Sequence, residues 1–215
     1  MTSGLLGGAF DPPHNGHVAL ARAAILELRL DELVVVPTGK PQHKEVETPA
    51  TVRLRLARLA FTGIPAVVVS DHEVASDEPS YTLDTVRWAR TRWGEVVFVV
   101  GADEFADFLL WREPDAILEE ARLAVATRPG FPRERLEPVL AALRRPERVS
   151  FFPIEPLPIS SREIRRRVAE GRPVDGLVPE AVAVVMRALG LYRGQPGIPG
   201  APLESATTHE DADRH

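Results

Sequence analysis

The sequence predicts an α/β protein with a doubly wound parallel sheet and a small helical appendage at its C-terminal end. Six short runs of mostly apolar, often β-branched residues alternate with segments of helical periodicity. Strands that are apolar on both sides are typical of a parallel sheet covered by helices on both faces. Strand–helix alternation also implies right-handed crossovers, so the predicted architecture is Rossmann-like.

Each element follows from its own local pattern. Strands are predicted at 4–9, 32–37, 66–70, 96–101, 122–127 and 148–152, and helices between them at 16–28, 50–61, 82–92, 114–120 and 133–144. After the last strand, two further helical patterns end at Gly171 and Gly190, and the second has Pro179 in its first turn.

The predicted domain therefore spans 1–193, and 160–193 form its helical closing segment. Residues 194–215 are rich in Gly, Pro, Ser, Thr and acidic residues, with little apolar surface to bury. This composition predicts a disordered tail.

Composition excludes several classes of protein. The chain has 215 residues, a formal net charge of −5 and no cysteine. The negative balance argues against a general nucleic-acid surface, and without an 18-residue apolar run we expect no membrane span. The absence of cysteine excludes disulfides and thiol catalysis, and no signal peptide is evident, so we expect a cytoplasmic protein. A homo-oligomer remains open.

Lysine usage singles out one loop. Of the 26 basic residues only Lys40 and Lys44 are lysines, and both lie in "PTGKPQHKE". Arginine enrichment has the simple explanation of a GC-rich genome. The two remaining lysines suggest that a compact ammonium on a flexible stem is needed in this loop.

The stretch "GGAFDPPHNGH" (7–17) links the first strand to the first helix. Its glycines let backbone amides approach an anion without a Cβ in the way. His14 precedes the helix and His17 lies in its first turn, so both imidazoles point the same way, toward the crevice above the sheet. There they can hydrogen-bond phosphate oxygens, more strongly when protonated.

Two alternatives compete for this stretch. A stiff turn with capping histidines would explain Asp11 and the prolines but not the paired glycines and histidines. A metal site would have two ligands from His-x-x-His, but no nearby Cys or third His completes the set. Neither the G-x-x-x-x-G-K-[ST] nor the G-x-G-x-x-G phosphate loop is present.

The stretch resembles the opening signature of the nucleotidyltransferase superfamily, GG-(S/T)-FDP-x-H-x-GH. Ala9 stands where Ser or Thr is usual, so a hydroxyl is lost there while the amide remains. The resemblance implies a reaction at the α-phosphate of a nucleoside triphosphate, with pyrophosphate leaving. It also implies ATP contacts from Gly8, Ala9, Phe10, His14, Gly16 and His17.

A second stretch, "PISSREIRRRV" (158–168), follows the last strand. By itself it contains a capping box, Ser160-x-x-Glu163, and a basic face that is commonly just solvated. It resembles the superfamily's C-terminal signature, I-S-S-(T/S)-x-I-R, with Arg162 in place of a hydroxyl residue. The resemblance implies that Ser160 and Ser161 contact the triphosphate and that Arg165 holds its β/γ part.

The middle of the chain distinguishes the acceptor. Read locally, Thr82 is a helix N-cap, and Phe105, Phe108 and Trp111 are core residues. However, "SYTLDT", "GADEFADFLLW" and "PTGKPQHKE" resemble motifs of the bacterial nicotinate-nucleotide adenylyltransferase family. The resemblance implies that Trp111 stacks near the pyridine ring and that Lys44 reaches a phosphate. It also implies that Thr82 and the first amides of a 104–110 helix receive the ring carboxylate, and that Asp103 contacts the sugar or orients its neighbours.

The implied reaction transfers AMP from ATP to nicotinate mononucleotide. The acceptor's phosphate oxygen attacks the α-phosphorus, so the protein supplies no nucleophile. His17, His14, Lys44 and Arg165 are the expected catalytic residues, and Mg²⁺ is expected to arrive with ATP rather than in a protein site. Two alternatives remain open: another acceptor, either nicotinamide mononucleotide or phosphopantetheine, and a non-catalytic nucleotide-binding regulator.

Overall fold

Six parallel strands form one sheet in the computed structural model, which describes residues 1–42, 46–128, 130–155 and 157–193. The strand order is β3-β2-β1-β4-β5-β6. The strands are β1 (Ser3–Gly8), β2 (Glu32–Pro37), β3 (Val67–Val69), β4 (Val96–Gly101), β5 (Ala121–Thr127) and β6 (Val149–Pro153). The predicted parallel α/β architecture is confirmed, and each strand bound lies within one residue of its prediction.

Helices connect the strands and close the domain. They are α1 (Asn15–Glu27), α2 (Ala50–Phe61), α3 (Thr82–Trp93), α4 (Ala102–Ala106), α5 (Pro114–Glu120), α6 (Glu137–Ala142), α7 (Ser161–Ala169) and α8 (Glu180–Ala188). Short 3-10 turns lie at Phe108–Leu110, Arg133–Arg135 and Pro146–Arg148.

The sheet separates two apolar cores. Alternate strand residues enter opposite cores: Leu5 and Val34 face α3 and α5, whereas Leu6 and Val35 face α1 and α2. The closing helices α7 and α8 join the second of these cores through Ile164 and residues such as Val182. Because both faces are covered, the strands are apolar throughout rather than alternating with polar residues.

Two helix predictions were wrong in their extent. The predicted helix 133–144 is a 3-10 turn followed by α6, because Pro138 lacks the N–H that would continue the helix from Glu134. The predicted 104–110 helix is α4, which begins at Ala102, followed by a separate 3-10 turn. No single helix start at residue 104 is therefore present to receive a carboxylate.

The sheet order places a crevice beside β1. Consecutive crossovers leave β1 toward β2 and β3 on one side, and the later strands β4, β5 and β6 lie on the other. Ligands of open parallel sheets bind at such a switch point, outside the carboxyl ends of the strands. Gly8 and Gly101 end the two strands that flank this point.

Residues 194–215 lie outside the described residues, so the disordered tail stays a prediction. Within the described ranges, no helix combines the length and the apolar character needed to cross a membrane.

Candidate active site

The backbone of the loop after β1 and the His17 side chain of α1 pack around the ring of Phe10. Phe10 is buried and adopts a left-handed φ of 50°. Its ring packs beneath Gly8, where an added Cβ would lie 3.1 Å from the ring, and its centroid lies 4.9 Å from that of His17 in an edge-to-face arrangement. Gly8 is therefore needed for the close approach, and Phe10 supports the histidine from below.

The two histidines form a stacked pair at the start of α1. Their ring centroids lie 3.7 Å apart with an interplanar angle of 24°, so they share a direction as predicted. His14 is the N-cap residue, and its backbone N–H donates to Nδ1 of His17 at 3.2 Å. Because Nδ1 accepts, the proton of a neutral His17 is on Nε2, which makes Nε2 the donor. Gly16 leaves room for the His14 ring, which an added Cβ would approach to 3.0 Å.

His14 is more enclosed than the sequence suggested. Only 7% of its surface is exposed, and its Nδ1 is buried with no hydrogen-bond partner. Burial, with a smaller contribution from His17, lowers the pKa of His14 from 6.5 to about 2. Burial therefore keeps His14 neutral at physiological pH, so a hydrogen bond from it to a phosphate would be that of a neutral imidazole.

The N-terminal turn of α7 packs directly on the opening loop. Ser161 Oγ donates to the carbonyl of Pro12 at 2.8 Å, and Arg165 Nη1 donates to the carbonyl of Asp11 at 2.8 Å. Arg165 Nε also bonds Glu47 Oε1 at 2.7 Å. The two signature stretches thus lie side by side, as the resemblance implied.

Ser160 and Ser161 use their hydroxyls differently. Ser160 Oγ caps α7 by accepting from the Glu163 N–H, and its own proton can still be donated. The side chain of Glu163 accepts from Arg166 and Arg167 instead of the Ser160 backbone N–H. The predicted capping box is therefore formed only by its serine half. Because Ser161 Oγ donates to Pro12, a phosphate contact at this position would come from its backbone N–H.

A buried polar network that the sequence did not reveal fixes the same loop. Asp11 is 2% exposed; its Oδ1 accepts from the Tyr192 hydroxyl at 2.6 Å and its Oδ2 from the Glu47 N–H at 2.8 Å. Burial and the bond to Asp11 raise the pKa of Tyr192 far above its usual range, so the phenol keeps its proton. Thr48 Oγ1 bonds the same phenolic oxygen at 2.9 Å.

A cavity of about 530 Å³ opens at the carboxyl ends of β1 and β4. Its lining includes Gly8 and Ala9 of the opening loop together with Thr82, Asp103 and Trp111. The structure thus brings together the three described residues predicted to hold the acceptor. The fourth, Lys44, lies outside the described residues.

Trp111 is partly buried and held by two phenylalanines. Its ring centroid lies 6.1 Å from that of Phe98 and 5.3 Å from that of Phe108, both at steep interplanar angles. Phe105 and Phe108 are fully buried, which confirms their interpretation as core residues. Trp111 lines the cavity from this packed aromatic base, so its ring offers a stacking surface to a planar ligand.

Thr82 and Asp103 occupy distinct parts of the cavity wall. Tyr81 is the N-cap of α3 and Thr82 its first residue, so the interpretation of Thr82 as the N-cap was wrong. The guanidinium of Arg112 lies 4.5 Å from the Tyr81 ring centroid. Asp103 forms exposed ion pairs with Arg128 and Arg135 at 3.6 and 3.5 Å, which a sugar hydroxyl could replace at small cost.

Glu73 is a cavity residue that sequence reasoning missed. Its Oε1 accepts from Thr85 Oγ1 at 2.6 Å, and its Oε2 from the Gly39 N–H at 3.3 Å. Burial raises the pKa of Glu73 despite these bonds. Thr85 is the last residue of the motif "SYTLDT", so the sequence pointed to one partner of this bond. Glu73 lies 12 residues upstream in an irregular segment, where no pattern points to it.

Known proteins are similar to this chain in both sequence and fold. The cytidylyltransferase-like family matches residues 5–167. A probable nicotinate-nucleotide adenylyltransferase from Bordetella petrii is 43% identical over 194 residues, which cover 88% of this chain and 98% of the relative. Another from Thermus thermophilus is 40% identical over 195 residues, covering 90% of this chain and 100% of the relative. This chain belongs to the nicotinate-nucleotide adenylyltransferase family.

A solved structure matches the fold of this family member at low sequence identity. Nicotinic acid mononucleotide adenylyltransferase from Plasmodium falciparum, complexed with NaAD, superposes with a TM-score of 0.73 at 19% identity. The match covers 89% of this adenylyltransferase and 97% of the other chain. Likeness at that identity supports the α/β fold, and the family assignment rests on the sequence relatives.

Proposed function

We propose that this protein transfers AMP from ATP to nicotinate mononucleotide, giving nicotinate adenine dinucleotide and pyrophosphate. One observation carries the proposal. The histidine pair and the α7 turn meet at one end of a loop whose Gly8 and Ala9 also line the cavity with Thr82, Asp103 and Trp111. Two nucleotides bound at the two ends would meet at this loop.

At the ATP end, amides and imidazoles hold the triphosphate. The amides of Gly8, Ala9 and Phe10 approach the phosphates, and Gly16 gives the histidines room. Nε2 of His17 donates to the α-phosphate, and neutral His14 contacts adjacent phosphate oxygens. At the other side, Ser160, the Ser161 amide and Arg165 hold the β- and γ-phosphates.

At the acceptor end, the pyridine ring stacks on Trp111. The Thr82 hydroxyl, at the start of the 12-residue helix α3, donates to the ring carboxylate, and the helix dipole adds to this attraction. Asp103 accepts from a ribose hydroxyl, and Lys44 binds the acceptor's phosphate.

The chemical step is an in-line displacement. An oxygen of the acceptor's phosphate forms a bond to the α-phosphorus of ATP as the bond to the bridging oxygen of pyrophosphate breaks. Catalysis consists of positioning two polyanions and stabilising the charge on the α-phosphate, and His17 Nε2 is the donor aimed at it.

We propose that Mg²⁺ enters with the triphosphate. In the part of the chain that the structure describes, no group of three or more His, Cys, Asp and Glu side chains forms a metal cage. The ion would be held mainly by phosphate oxygens and water, and it would neutralise part of the β/γ-phosphate charge.

Pyrophosphate release tests the function. The protein with ATP and Mg²⁺ is offered nicotinate mononucleotide, nicotinamide mononucleotide or phosphopantetheine in parallel, and each product is identified by mass. We expect turnover with nicotinate mononucleotide and at least about tenfold lower kcat/KM with the amide, since the Thr82 contact to a charged group is lost. Preference for either alternative acceptor would overturn the assignment. ATP binding without pyrophosphate release with any acceptor would indicate a regulator.

The substitution Thr82→Val sharpens this test. It should raise KM for nicotinate mononucleotide by about tenfold and leave KM for the amide unchanged. Thr91→Val, on the exposed far end of the same helix, is the matched control and should change neither value.

Two properties extend the proposal beyond the site. We place the enzyme in the cytoplasm, where ATP is abundant; its activity should remain in the soluble fraction of disrupted cells. Light scattering at assay concentrations measures whether it works as a homo-oligomer.

A further inference from the structure

One arginine is buried against both the loop after β1 and the segment after β2. Arg53 projects from α2 with 1% of its surface exposed, and it is among the largest fully buried side chains of the described residues. Its guanidinium donates to three backbone carbonyls: Nη1 to Ala9 at 2.7 Å, Nη2 to Gly39 at 3.0 Å and Nε to Thr48 at 3.0 Å.

These carbonyls belong to two loops. One is the loop after β1 (9–14), called here the nucleotide loop. The other is the segment after β2 (39–48), called here the acceptor loop. Ala9 lies in the loop that holds the histidine pair, between cavity-lining Gly8 and buried Phe10. Gly39 and Thr48 bracket the segment after β2, which carries both lysines of the chain. A single planar side chain therefore ties the nucleotide loop to the two ends of the acceptor loop.

Gly39 is held from its other side as well. Its N–H lies between Glu73 Oε2 at 3.3 Å and Ser80 Oγ at 3.1 Å, while its carbonyl faces Arg53. An added Cβ at this position would collide with the backbone carbonyl of Glu73. The position of Gly39, where the chain leaves β2, is therefore fixed by contacts on both sides of its backbone.

Packing alone does not explain a guanidinium here. Burial lowers the pKa of Arg53, opposed by the nearby carboxyl groups of Asp11 and Glu73, so the cation is desolvated at a cost. An apolar side chain would avoid that cost, but it would leave three carbonyls without donors. Only arginine presents donors in a fixed fork that can satisfy three carbonyls in one plane.

We propose that Arg53 is a positioning residue that fixes the nucleotide loop and both ends of the acceptor loop in one geometry, so that the two substrates meet in line. This inference rests on the proposed function, because it assigns Ala9 to ATP and the 39–48 segment to the acceptor. Arg53 acts through the loops and touches neither substrate.

The first test is Arg53→Lys, which keeps the charge and removes the fork. With ATP and nicotinate mononucleotide, we expect KM to rise about tenfold for both substrates, since bonds to a charged donor are lost at both loops. Arg55→Lys, an exposed position on the same helix, is the control and should leave both values unchanged. Circular dichroism establishes that each variant is folded at the assay temperature. A lower melting temperature with unchanged KM values would reduce Arg53 to a structural role.

The second test needs no activity, so it separates this inference from the proposed function. A lysine-specific endoprotease has only Lys40 and Lys44 to attack in the wild type, and Lys40 precedes Pro41; this test therefore uses Arg53→Gln and its control Arg55→Gln, which add no lysine. If Arg53 fixes the ends of the segment, cleavage after Lys44 should be about tenfold faster in folded Arg53→Gln than in the wild type or Arg55→Gln. Equal rates would overturn the inference even if the wild type makes dinucleotide from nicotinate mononucleotide as proposed.

A second variant keeps the inference testable if Arg53→Lys does not fold. Gly39→Ala displaces Gly39 from Glu73 and so pulls its carbonyl from Arg53, without changing any residue of the nucleotide loop. We expect KM for ATP to rise together with KM for the acceptor. A rise confined to the acceptor would show that Arg53 does not couple the two loops.

Discussion

At the residue scale, the histidine pair shows how local spacing and burial divide one task between similar side chains. Positions 14 and 17 place the rings in a stack, and the His14 N–H fixes the tautomer of His17. Burial then keeps His14 neutral. One imidazole is oriented as a donor, and the other contributes shape and polarity without charge.

His17→Ala should lower kcat by on the order of 100- to 1,000-fold, because one preorganised donor to the α-phosphate is lost. Steady-state pyrophosphate release measures it. His72→Ala is the control, since His72 stacks on Trp88 rather than lining the cavity, and it should retain wild-type kcat. A loss below about threefold for His17→Ala would refute its assigned role.

The neutrality of His14 predicts how stability depends on pH. The pKa of His14 is about 2 in the folded protein and near 6.5 when unfolded. Below pH 6.5 the unfolded chain binds a proton that the folded chain does not, so by pH 5 His14 lowers the free energy of unfolding by about 2 kcal/mol. Above pH 6.5 this contribution vanishes.

Urea unfolding at pH 7 and pH 5 checks this expectation. His14→Asn keeps a good N-cap residue and removes the titrating group. The variant should lose about 2 kcal/mol less stability than the wild type between the two pH values. Identical losses would mean that His14 titrates normally in the folded state.

At the element scale, α7 combines a capped N-terminus with an arginine directed back at the first loop. Arg165 is only 22% exposed and bonds the Asp11 carbonyl, whereas Arg166 is 58% exposed and pairs with Glu163. Adjacent positions on one helix thus differ because one faces the opening loop and the other faces solvent.

Arg165→Ala should raise KM for ATP by about tenfold and leave KM for nicotinate mononucleotide unchanged, because a charge-assisted contact to the β/γ-phosphates is lost. Substrate titrations in the pyrophosphate assay measure both values. Arg166→Ala is the matched control and should have no effect, since exposed ion pairs contribute little. Equal effects of the two substitutions would show a general loss of positive charge instead.

At the scale of the whole molecule, the chain closes on its own beginning. Tyr192 follows α8, yet its hydroxyl bonds Asp11 in the first loop and Thr48 after the acceptor loop. The C-terminal helices therefore complete the support of the site from the face of the sheet that carries α1 and α2.

Two truncations test this closure. Removing 194–215 should leave kcat and the melting temperature unchanged, because the contacts described for the site are made within 1–193. Removing 192–215 also deletes the Tyr192 hydroxyl from the buried Asp11 carboxylate, and should lower the melting temperature by roughly 5 °C. Calorimetry measures both, and a loss of turnover in the shorter deletion would contradict the predicted disordered tail.

The type and order of the main elements, the parallel sheet and the two signature stretches could be predicted from the sequence alone. These depend on local periodicity, glycine placement and residue spacing, which are readable along the chain. The sequence also predicted Thr82, Asp103 and Trp111 as acceptor-binding residues, and the structure places all three in the lining of one cavity. The family resemblance, not periodicity, distinguished Trp111 from its buried neighbours Phe105 and Phe108.

The neutral state of His14, the three bonds of Arg53 and the Asp11–Tyr192 bond become visible only in the folded protein. Each depends on burial or on partners distant in sequence: Arg53 and Ala9 are 44 residues apart, and Tyr192 and Asp11 are 181 apart. The sequence "ATVRLRLARLAF" (50–61) does not distinguish buried Arg53 from exposed Arg55 by residue type. Desolvation and long-range hydrogen bonds arise only when the chain is packed, so no local pattern records them.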